Sequence, residues 1–183
     1  MPKPGFKAPL SKVAKHIQPF RVMKILGEAK TLQNQGSDII HMEIGEPDCP
    51  SLDCVHEAAF AAAQKGLTHY TPSVGLSALR KKLSEFYHHF YQADVAANNI
   101  MLTPGSSSAL QLVLTAIVNP GDNVLLTDPT YPCNRQFVNL LYGQLVNVPS
   151  DADSNYQLNL ALLKQHWQPD IKVVLVASPA NPT

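Results

Sequence analysis

Three serines follow a glycine where a predicted strand gives way to a predicted helix, in the segment Leu102-Thr103-Pro104-Gly105-Ser106-Ser107-Ser108-Ala109-Leu110. The first turn of a helix leaves backbone N–H groups without intrahelical partners, and the helix dipole favours negative charge there. With the hydroxyls of Ser106 and Ser107 added, this turn has the chemistry of a phosphate-binding site. A helix N-terminus whose serines bind no ligand would have the same sequence pattern, so the sequence leaves both interpretations open. The segment is neither a Walker loop nor a G-x-G-x-x-G dinucleotide motif.

Four other segments bring aromatic or amide groups into loops. Tyr131 lies between two prolines after a predicted strand, and a ring held there could stack on a flat heterocycle. Asn181 offers a side-chain amide at a Pro-rich turn after the last predicted strand. Each feature alone also fits an ordinary turn, but together they indicate one ligand site at the carboxyl edge of a sheet. The four segments are Gly45–Asp48, Tyr70–Arg80, Asp128–Pro132 and Ser178–Thr183.

A serine hydrolase is an alternative interpretation of the same serines. Gly105-Ser106-Ser107-Ser108-Ala109 is close to the G-x-S-x-G nucleophile elbow, with Ser107 as the nucleophile. Ala109 replaces the second glycine, and the available base, His166, falls inside a predicted helix. The acids that could complete such a triad are Asp151, Asp153 and Asp170.

A zinc deaminase is excluded by one missing ligand. His41-Met42-Glu43 with Pro132-Cys133 resembles the H-x-E…P-C-x-x-C pattern, but the position of the second cysteine holds Gln136. His88 and His89 are neighbours on a predicted helix and are therefore expected at the surface. The sequence predicts no metal site.

The elements that position these groups alternate between strand and helix over most of the chain. This rhythm, with short apolar strands, predicts an α/β fold with a mostly parallel sheet covered on both faces. The predicted strands are Ile39–Ile44, Ile100–Thr103, Val124–Thr127, Leu145–Val148 and Ile171–Ala177. The predicted helices are Pro19–Asn34, Ser51–Lys65 (capped by Ser51), Leu76–Tyr91, Ser106–Val118, Cys133–Leu141 and Leu158–His166, and residues 1–18 are predicted to form an extended arm.

The composition limits the kinds of binding partner and the cellular compartment that we expect for this protein. The 183 residues carry 14 basic and 14 acidic side chains, so no basic excess exists to bind nucleic acid or an anionic membrane. Apolar stretches such as Val173–Ala177 are far too short to span a bilayer, and the N-terminus lacks the apolar region of a signal peptide. We therefore expect a cytoplasmic protein. Its three cysteines are expected to be free thiols, mostly buried.

Five motifs in series resemble the N-terminal part of the class I/II, fold-type-I aminotransferases, which use pyridoxal 5′-phosphate (PLP). The motifs are G-E-P-D at 45–48, Y-T-P-S-V-G-L-S-A-L-R at 70–80, T-P-G-S-S-S-A-L at 103–110, D-P-T-Y-P at 128–132 and A-N-P-T at 180–183. The resemblance covers residues 20–183. It implies the three-layer large domain of the PLP transferases, in part, over residues 46–183. It also implies that residues 1–45 hold the N-terminal arm and a segment of the small domain.

The resemblance also implies roles for the matching residues. Gly105, Ser106 and Ser107 resemble the turn that binds the PLP phosphate. Tyr131 matches the aromatic residue that stacks on the pyridine ring, and Asn181 matches the residue that contacts the PLP 3′ oxygen and the substrate carboxylate.

Two further residues and the reaction itself follow from the same resemblance. Gly45 matches a glycine that lines the substrate pocket. Tyr70 matches the tyrosine that reaches the partner subunit's phosphate, which implies a homodimer, whereas Arg80 is expected to be structural. The implied reaction is transamination between an amino acid and a 2-oxo acid.

The resemblance further implies groups that this sequence does not contain: the lysine that holds PLP, the acid that pairs with its pyridinium nitrogen and the arginine that binds the substrate carboxylate. Asp128 matches a loop residue and does not replace the missing acid. We therefore expect residues 1–183 alone to bind PLP weakly, not to transaminate and to aggregate. A PLP lyase or synthase of the same fold, or a non-catalytic binding or dimerising product of a truncated gene, remain alternatives, as does the hydrolase.

Overall fold

The computed structural model describes residues 9–17 and 20–183. The chain divides into two compact units. The first unit joins the described part of residues 1–28 to residues 106–183, and the second unit consists of residues 29–105. Helix α2 (Arg21–Asn34) starts in the first unit and ends in the second.

A three-stranded parallel sheet forms the centre of the first unit. Its strands are β1 (Asn123–Asp128), β2 (Gln144–Pro149) and β3 (Ile171–Leu175), in the order β2-β1-β3. Because both pairings are parallel, the carboxyl ends of all three strands lie at one edge of the sheet. The predicted parallel sheet is therefore confirmed for these strands.

The core of the first unit is built on the central strand. Val124, Leu125 and Leu126 are fully buried, as expected for a strand covered on both faces. Val124 packs in one cluster with Leu114 and Val138, which are contributed by two helices. Burial of each such side chain stabilises the fold by about 1.5–3 kcal/mol.

The helices of the first unit, apart from the start of α2, are α1 (Lys12–His16), α5 (Ser106–Ile117), α6 (Pro132–Leu140) and α7 (Leu160–His166). Helices α5 and α6 contact each other, and α6 and α7 both contact β2. The predicted bounds of α5, α6 and α7 are confirmed to within two residues. The predicted extended arm is wrong for Lys12–His16, which form α1 because the Ser11 hydroxyl caps the helix by accepting a hydrogen bond from the Ala14 N–H at 3.1 Å. The part of the predicted arm outside residues 9–17, and the predicted helix start at Pro19, lie outside the described residues.

The second unit contains helices and loops. After the end of α2 it consists of α3 (Asp53–Gln64), α4 (Ser77–Tyr91) and a short 3₁₀ helix, Ala97–Asn99. The 3₁₀ helix packs against α4. Among the described helices of either unit, none is both long and apolar enough to cross a membrane.

Two predicted strands are wrong. The structure has no strand at Ile39–Ile44 or at Ile100–Thr103, and the second unit contains no strand among its described residues. A strand needs a neighbour to satisfy its backbone groups. Leu102 donates one backbone hydrogen bond, of 3.2 Å, to the Val74 carbonyl, while Ile40 and Met42 are largely exposed.

Two local predictions also need correction. The N-cap of α3 is Leu52 and makes no side-chain capping bond, so Ser51 does not cap this helix. The cysteines are free, as expected, but Cys49 and Cys54 are exposed and only Cys133 is half-buried. The two exposed cysteines belong to the loop before α3 and to its first turn, where no core covers them.

Candidate cofactor-binding site

The N-terminus of α5 is open to solvent. Gly105 has a φ of +83°, in the left-handed region that glycine enters most readily, and it directs the chain into Ser106, the first residue of the helix. The turn is closed by the Gly105 N–H, which donates to the Thr103 carbonyl at 2.8 Å. Ser106 and Ser107 are exposed, so an anion can reach this helix start.

Tyr131 occupies the start of the next helix, just beyond the end of β1. It is the N-cap of α6, and its carbonyl accepts a 3.0 Å hydrogen bond from the Asn134 N–H. Its side chain is half-buried, which leaves part of the ring accessible. The ring is therefore placed at the carboxyl edge of the sheet, where the sequence predicts a stacking aromatic.

The Tyr131 phenol lies between two other polar side chains, and these have opposite effects on its acidity. The phenol donates a hydrogen bond to the Cys133 sulfur, and this bond is the main reason why the pKa of Tyr131 is raised. Desolvation and repulsion from a Cys133 thiolate act in the same direction, whereas a hydrogen bond from the Ser107 hydroxyl opposes them. The structure thus places Ser107, in the first turn of α5, close enough to the Tyr131 phenol to affect its pKa.

Phe20 packs against the Tyr131 ring. The two ring centroids are 6.1 Å apart and the planes meet at 79°, an edge-to-face arrangement. Phe20 lies directly before α2, and its carbonyl accepts the Met23 N–H at 3.1 Å. The segment that leads into α2 is therefore a neighbour of the candidate site.

The loop from β1 to α6 is fixed by contacts on each side of Tyr131. The Asp128 carboxylate pairs with Arg135 of α6 at 2.7 Å. The Asp128 carbonyl accepts the Ser150 N–H, which follows β2, at 2.8 Å. Buried Asn134 donates from Nδ2 to the Thr130 hydroxyl at 3.3 Å, while its Oδ1 has no partner among the described residues. Asp128 is thus engaged in holding the loop.

Asn181 is the remaining predicted site residue of the first unit. It is exposed and belongs to the segment that leaves the carboxyl end of β3. Because β3 pairs in parallel with β1, this segment starts from the same sheet edge as the Tyr131 loop. The exposed amide can donate and accept hydrogen bonds there.

Three other residues of the predicted motifs belong to the second unit. The Arg80 Nε donates to the Ile100 carbonyl at 2.8 Å, which confirms the expected structural role. Gly45 has open space where a Cβ would stand, and the Tyr70 side chain is fully exposed.

The hydrolase hypothesis gains no support from the described residues. The Ser107 hydroxyl bonds to Tyr131, and His166 bonds through Nδ1 to the Leu162 carbonyl of its own helix at 3.0 Å. A nucleophile needs a base within hydrogen-bond reach. Among the residues that the structure describes, Ser107 has no such base.

His41 and Glu43 contact each other in the segment that was predicted to be a strand and is a loop. The His41 Nδ1 lies 2.7 Å from the Glu43 carboxylate, and this hydrogen bond lowers the pKa of Glu43. The two side chains are therefore hydrogen-bonded to each other in the loop before Gly45.

Sequence reasoning missed two residues that contact Tyr131: Phe20 and Cys133. Cys133 could have been found, because the residue two places after an N-cap lies close to it on the first turn. Phe20 is far away in the sequence, and no local pattern indicates its contact with Tyr131.

Comparison with known proteins decides the family. The family model for aminotransferase class I and II matches residues 37–183. The chain belongs to this family. The resemblance noted from its five motifs is confirmed, and structures of the family share its fold. The aspartate aminotransferase of Thermus thermophilus with maleate superimposes with a TM-score of 0.91 at 28% identity, over 97% of this chain and 46% of that one.

Sequence relatives within the family carry different substrate names. The chain is 36% identical over 173 residues to a (5-formylfuran-3-yl)methyl phosphate transaminase of Methanocaldococcus jannaschii, covering 94% of this chain and 45% of the relative. It is 31% identical over 174 residues to an aspartate aminotransferase of Bacillus sp. strain YM-2, covering 95% and 44%. The chain thus spans less than half the length of the curated relatives that it matches.

Proposed function

We propose that this chain is the N-terminal part of a PLP-dependent aminotransferase that moves an amino group between an amino acid and a 2-oxo acid. The observation that carries the proposal is the packing of α5 against α6, which places the start of α5 beside Tyr131, the N-cap of α6. The influence of Ser107 on the pKa of the Tyr131 phenol agrees with this placement. The placement joins a helix start suited to a phosphate with an aromatic ring suited to a flat heterocycle. PLP contains both groups in one molecule.

The phosphate end of PLP fits the start of α5. Gly105, Ser106 and Ser107 would surround it with first-turn N–H groups and two hydroxyls, and the helix dipole favours its charge. The Ser107 hydroxyl has one proton, so it donates either to a phosphate oxygen or to the Tyr131 phenol. Phosphate binding and the setting of the Tyr131 ring are therefore coupled through Ser107.

The ring end of PLP fits Tyr131 and Asn181. Tyr131 would stack on the pyridine ring, and its fixed loop limits the orientations that the ring can take. Asn181 would donate to the 3′ oxygen and help to bind the substrate carboxylate. When bound, PLP withdraws the electron pair released at the substrate α-carbon, which allows the amino group to leave one carbon skeleton for another.

Gly45 and Tyr70 complete the proposed set, on the strength of the family resemblance. Gly45 would line the substrate pocket. The fully exposed Tyr70 would reach the phosphate bound by a second copy of the protein, in a homodimer. The lysine that holds PLP is expected outside the matched motifs, so the proposal concerns the whole protein.

The experiment follows ¹⁵N from a panel of labelled amino acids to a panel of 2-oxo acids, with the whole protein and added PLP. We expect label in a new amino acid, and a Ser106→Ala/Ser107→Ala variant that needs at least tenfold more PLP for the same rate, because it loses donors to a charged group. Ser37→Ala, in an exposed loop, is the control.

Two results would contradict the proposal. Release of the label as ammonia, without transfer, would indicate a lyase of the same fold. No PLP-dependent reaction with any amino acid would remove the aminotransferase assignment from this protein.

A further inference from the structure

We infer that Phe20 is a positioning residue for the cofactor ring: it holds the Tyr131 side chain from the side, through the segment that leads into α2. The inference rests on the proposed stacking role of Tyr131. It names a residue that lies outside the five motifs and has no assigned role.

The geometry of the ring pair fits a positioning role for Phe20. Phe20 and Tyr131 meet edge to face, at 6.1 Å and 79°, within the range that stabilises aromatic pairs. Such a contact restricts rotation of the tyrosine about its side-chain bonds. A ring that is already fixed loses less conformational entropy when a flat ligand stacks on it.

Other contacts restrain the remaining parts of Tyr131. Its backbone is fixed by the Asn134 N–H, and its hydroxyl lies between Ser107 and Cys133. Those contacts hold the two ends of the residue, whereas Phe20 is the aromatic neighbour along the ring itself. The tilt of the ring plane therefore depends on Phe20.

Phe20 is held in place independently of its ring. It is about one-third exposed and precedes α2, where its carbonyl accepts the N–H groups of Met23 and Lys24. Phe20 is therefore anchored by backbone contacts that do not require its ring. A leucine at this position keeps an apolar side chain and those backbone bonds, and it removes only the aromatic contact.

The test measures PLP binding to the apo form of the whole protein by absorbance, together with the induced circular dichroism of the bound PLP. Induced dichroism reports the orientation of the bound ring, which a merely structural role for Phe20 would not change. The variants are Phe20→Leu and the conservative Phe20→Tyr. Phe60→Leu, on the exposed face of α3, is the matched control.

We expect Phe20→Leu to weaken PLP binding about three- to tenfold and to change the induced dichroism. Phe20→Tyr should restore both, and Phe60→Leu should leave both unchanged. In a Tyr131→Ala background, Phe20→Leu should have no further effect, because the contact that it removes is already gone. The thermal midpoint of each apoprotein checks that the fold is intact.

The inference is overturned if Phe20→Leu binds PLP like the unmodified protein with the same dichroism, or if its effect persists in the Tyr131→Ala background. Both results leave the proposed function standing. If the unmodified protein does not bind PLP, or if Tyr131→Ala binds it equally well, the proposed function fails first and the inference fails with it.

Discussion

Three neighbouring side chains determine the position and the acidity of the Tyr131 side chain. Ser107 donates a hydrogen bond to it, Cys133 accepts one from it, and Phe20 packs beside its ring. The chemistry proposed for the site depends on this arrangement, because a stacking ring is useful only in a fixed position. The contacts of Tyr131 are therefore the part of the molecule where small changes should be most visible.

Replacing Cys133 should lower the pKa of Tyr131. The hydrogen bond to its sulfur favours the protonated phenol, so Cys133→Ala removes the largest cause of the upward shift. In the unmodified protein, Tyr131 should still be protonated at a pH where an ordinary tyrosine ionises. An ultraviolet titration of phenolate, with Tyr131→Phe subtracted, measures this difference.

The control for that titration is Cys54→Ala, which removes an exposed thiol in α3. This substitution should leave the pKa of Tyr131 unchanged. If Cys133→Ala also leaves the Tyr131 titration unchanged, the phenol does not bond to this sulfur.

The residues of the candidate site were predictable to the extent that they belong to motifs. Ser106, Ser107, Tyr131 and Asn181 all follow predicted strands or begin predicted helices, and local signals of this kind can be read from sequence. Phe20 could not be found in this way, because its contact with Tyr131 depends on how distant segments pack. The prediction that the cysteines are mostly buried was wrong for the same reason, because burial also depends on how distant segments pack.

At the scale of the elements, the position before α4 that Gly75 occupies requires a glycine. Its φ is +94°, and a Cβ there would overlap the Leu102 side chain. We expect Gly75→Ala to lower the free energy of unfolding by about 2 kcal/mol or more, from backbone strain and steric overlap together. Denaturant unfolding monitored by circular dichroism measures the change.

The matched substitution Gly27→Ala should change the free energy of unfolding in the opposite direction to Gly75→Ala. Gly27 lies inside α2, where a Cβ would meet open space. Gly27→Ala should raise stability by about 0.5–1 kcal/mol, because alanine favours the helix more than glycine does. Equal effects of the two substitutions would show that the close approach of Gly75 to Leu102 does not exist in solution.

Helices were predicted better than strands for a physical reason. The spacing of apolar residues along α4 or α5 is a local property, so their bounds are close to the prediction. A short apolar segment such as Ile39–Ile44 becomes a strand only if another segment pairs with it. Apolarity alone does not reveal whether that partner exists.

At the scale of the whole molecule, the described residues leave many large apolar side chains exposed. The aromatic residues of α4 are an example: Phe90 and Tyr91 are each 64% exposed, and the Phe90 ring contacts the rings of its own helix, with 4.6 Å between its centroid and that of Phe86. Exposed apolar surfaces of this kind promote association or aggregation. They are the physical basis for expecting residues 1–183 alone to aggregate.

The central claim concerns the whole protein: one ligand engages both the start of α5 and the Tyr131 ring. Family membership supports PLP as that ligand, and the packing of α5 against α6, with Ser107 close to the Tyr131 phenol, is the reason to expect that its two ends are coupled. Substitutions at these two points should therefore not act independently.

The most direct test is a PLP titration of the apo form of the whole protein, followed by absorbance, for Ser107→Ala, Tyr131→Ala and the double variant. Ser37→Ala and Tyr91→Ala serve as controls at exposed positions outside the candidate site. We predict tight binding by the unmodified protein, at least tenfold weaker binding by Tyr131→Ala, and a double variant less impaired than the two single losses combined. Absence of PLP binding, or equal affinities for all variants, would contradict the account.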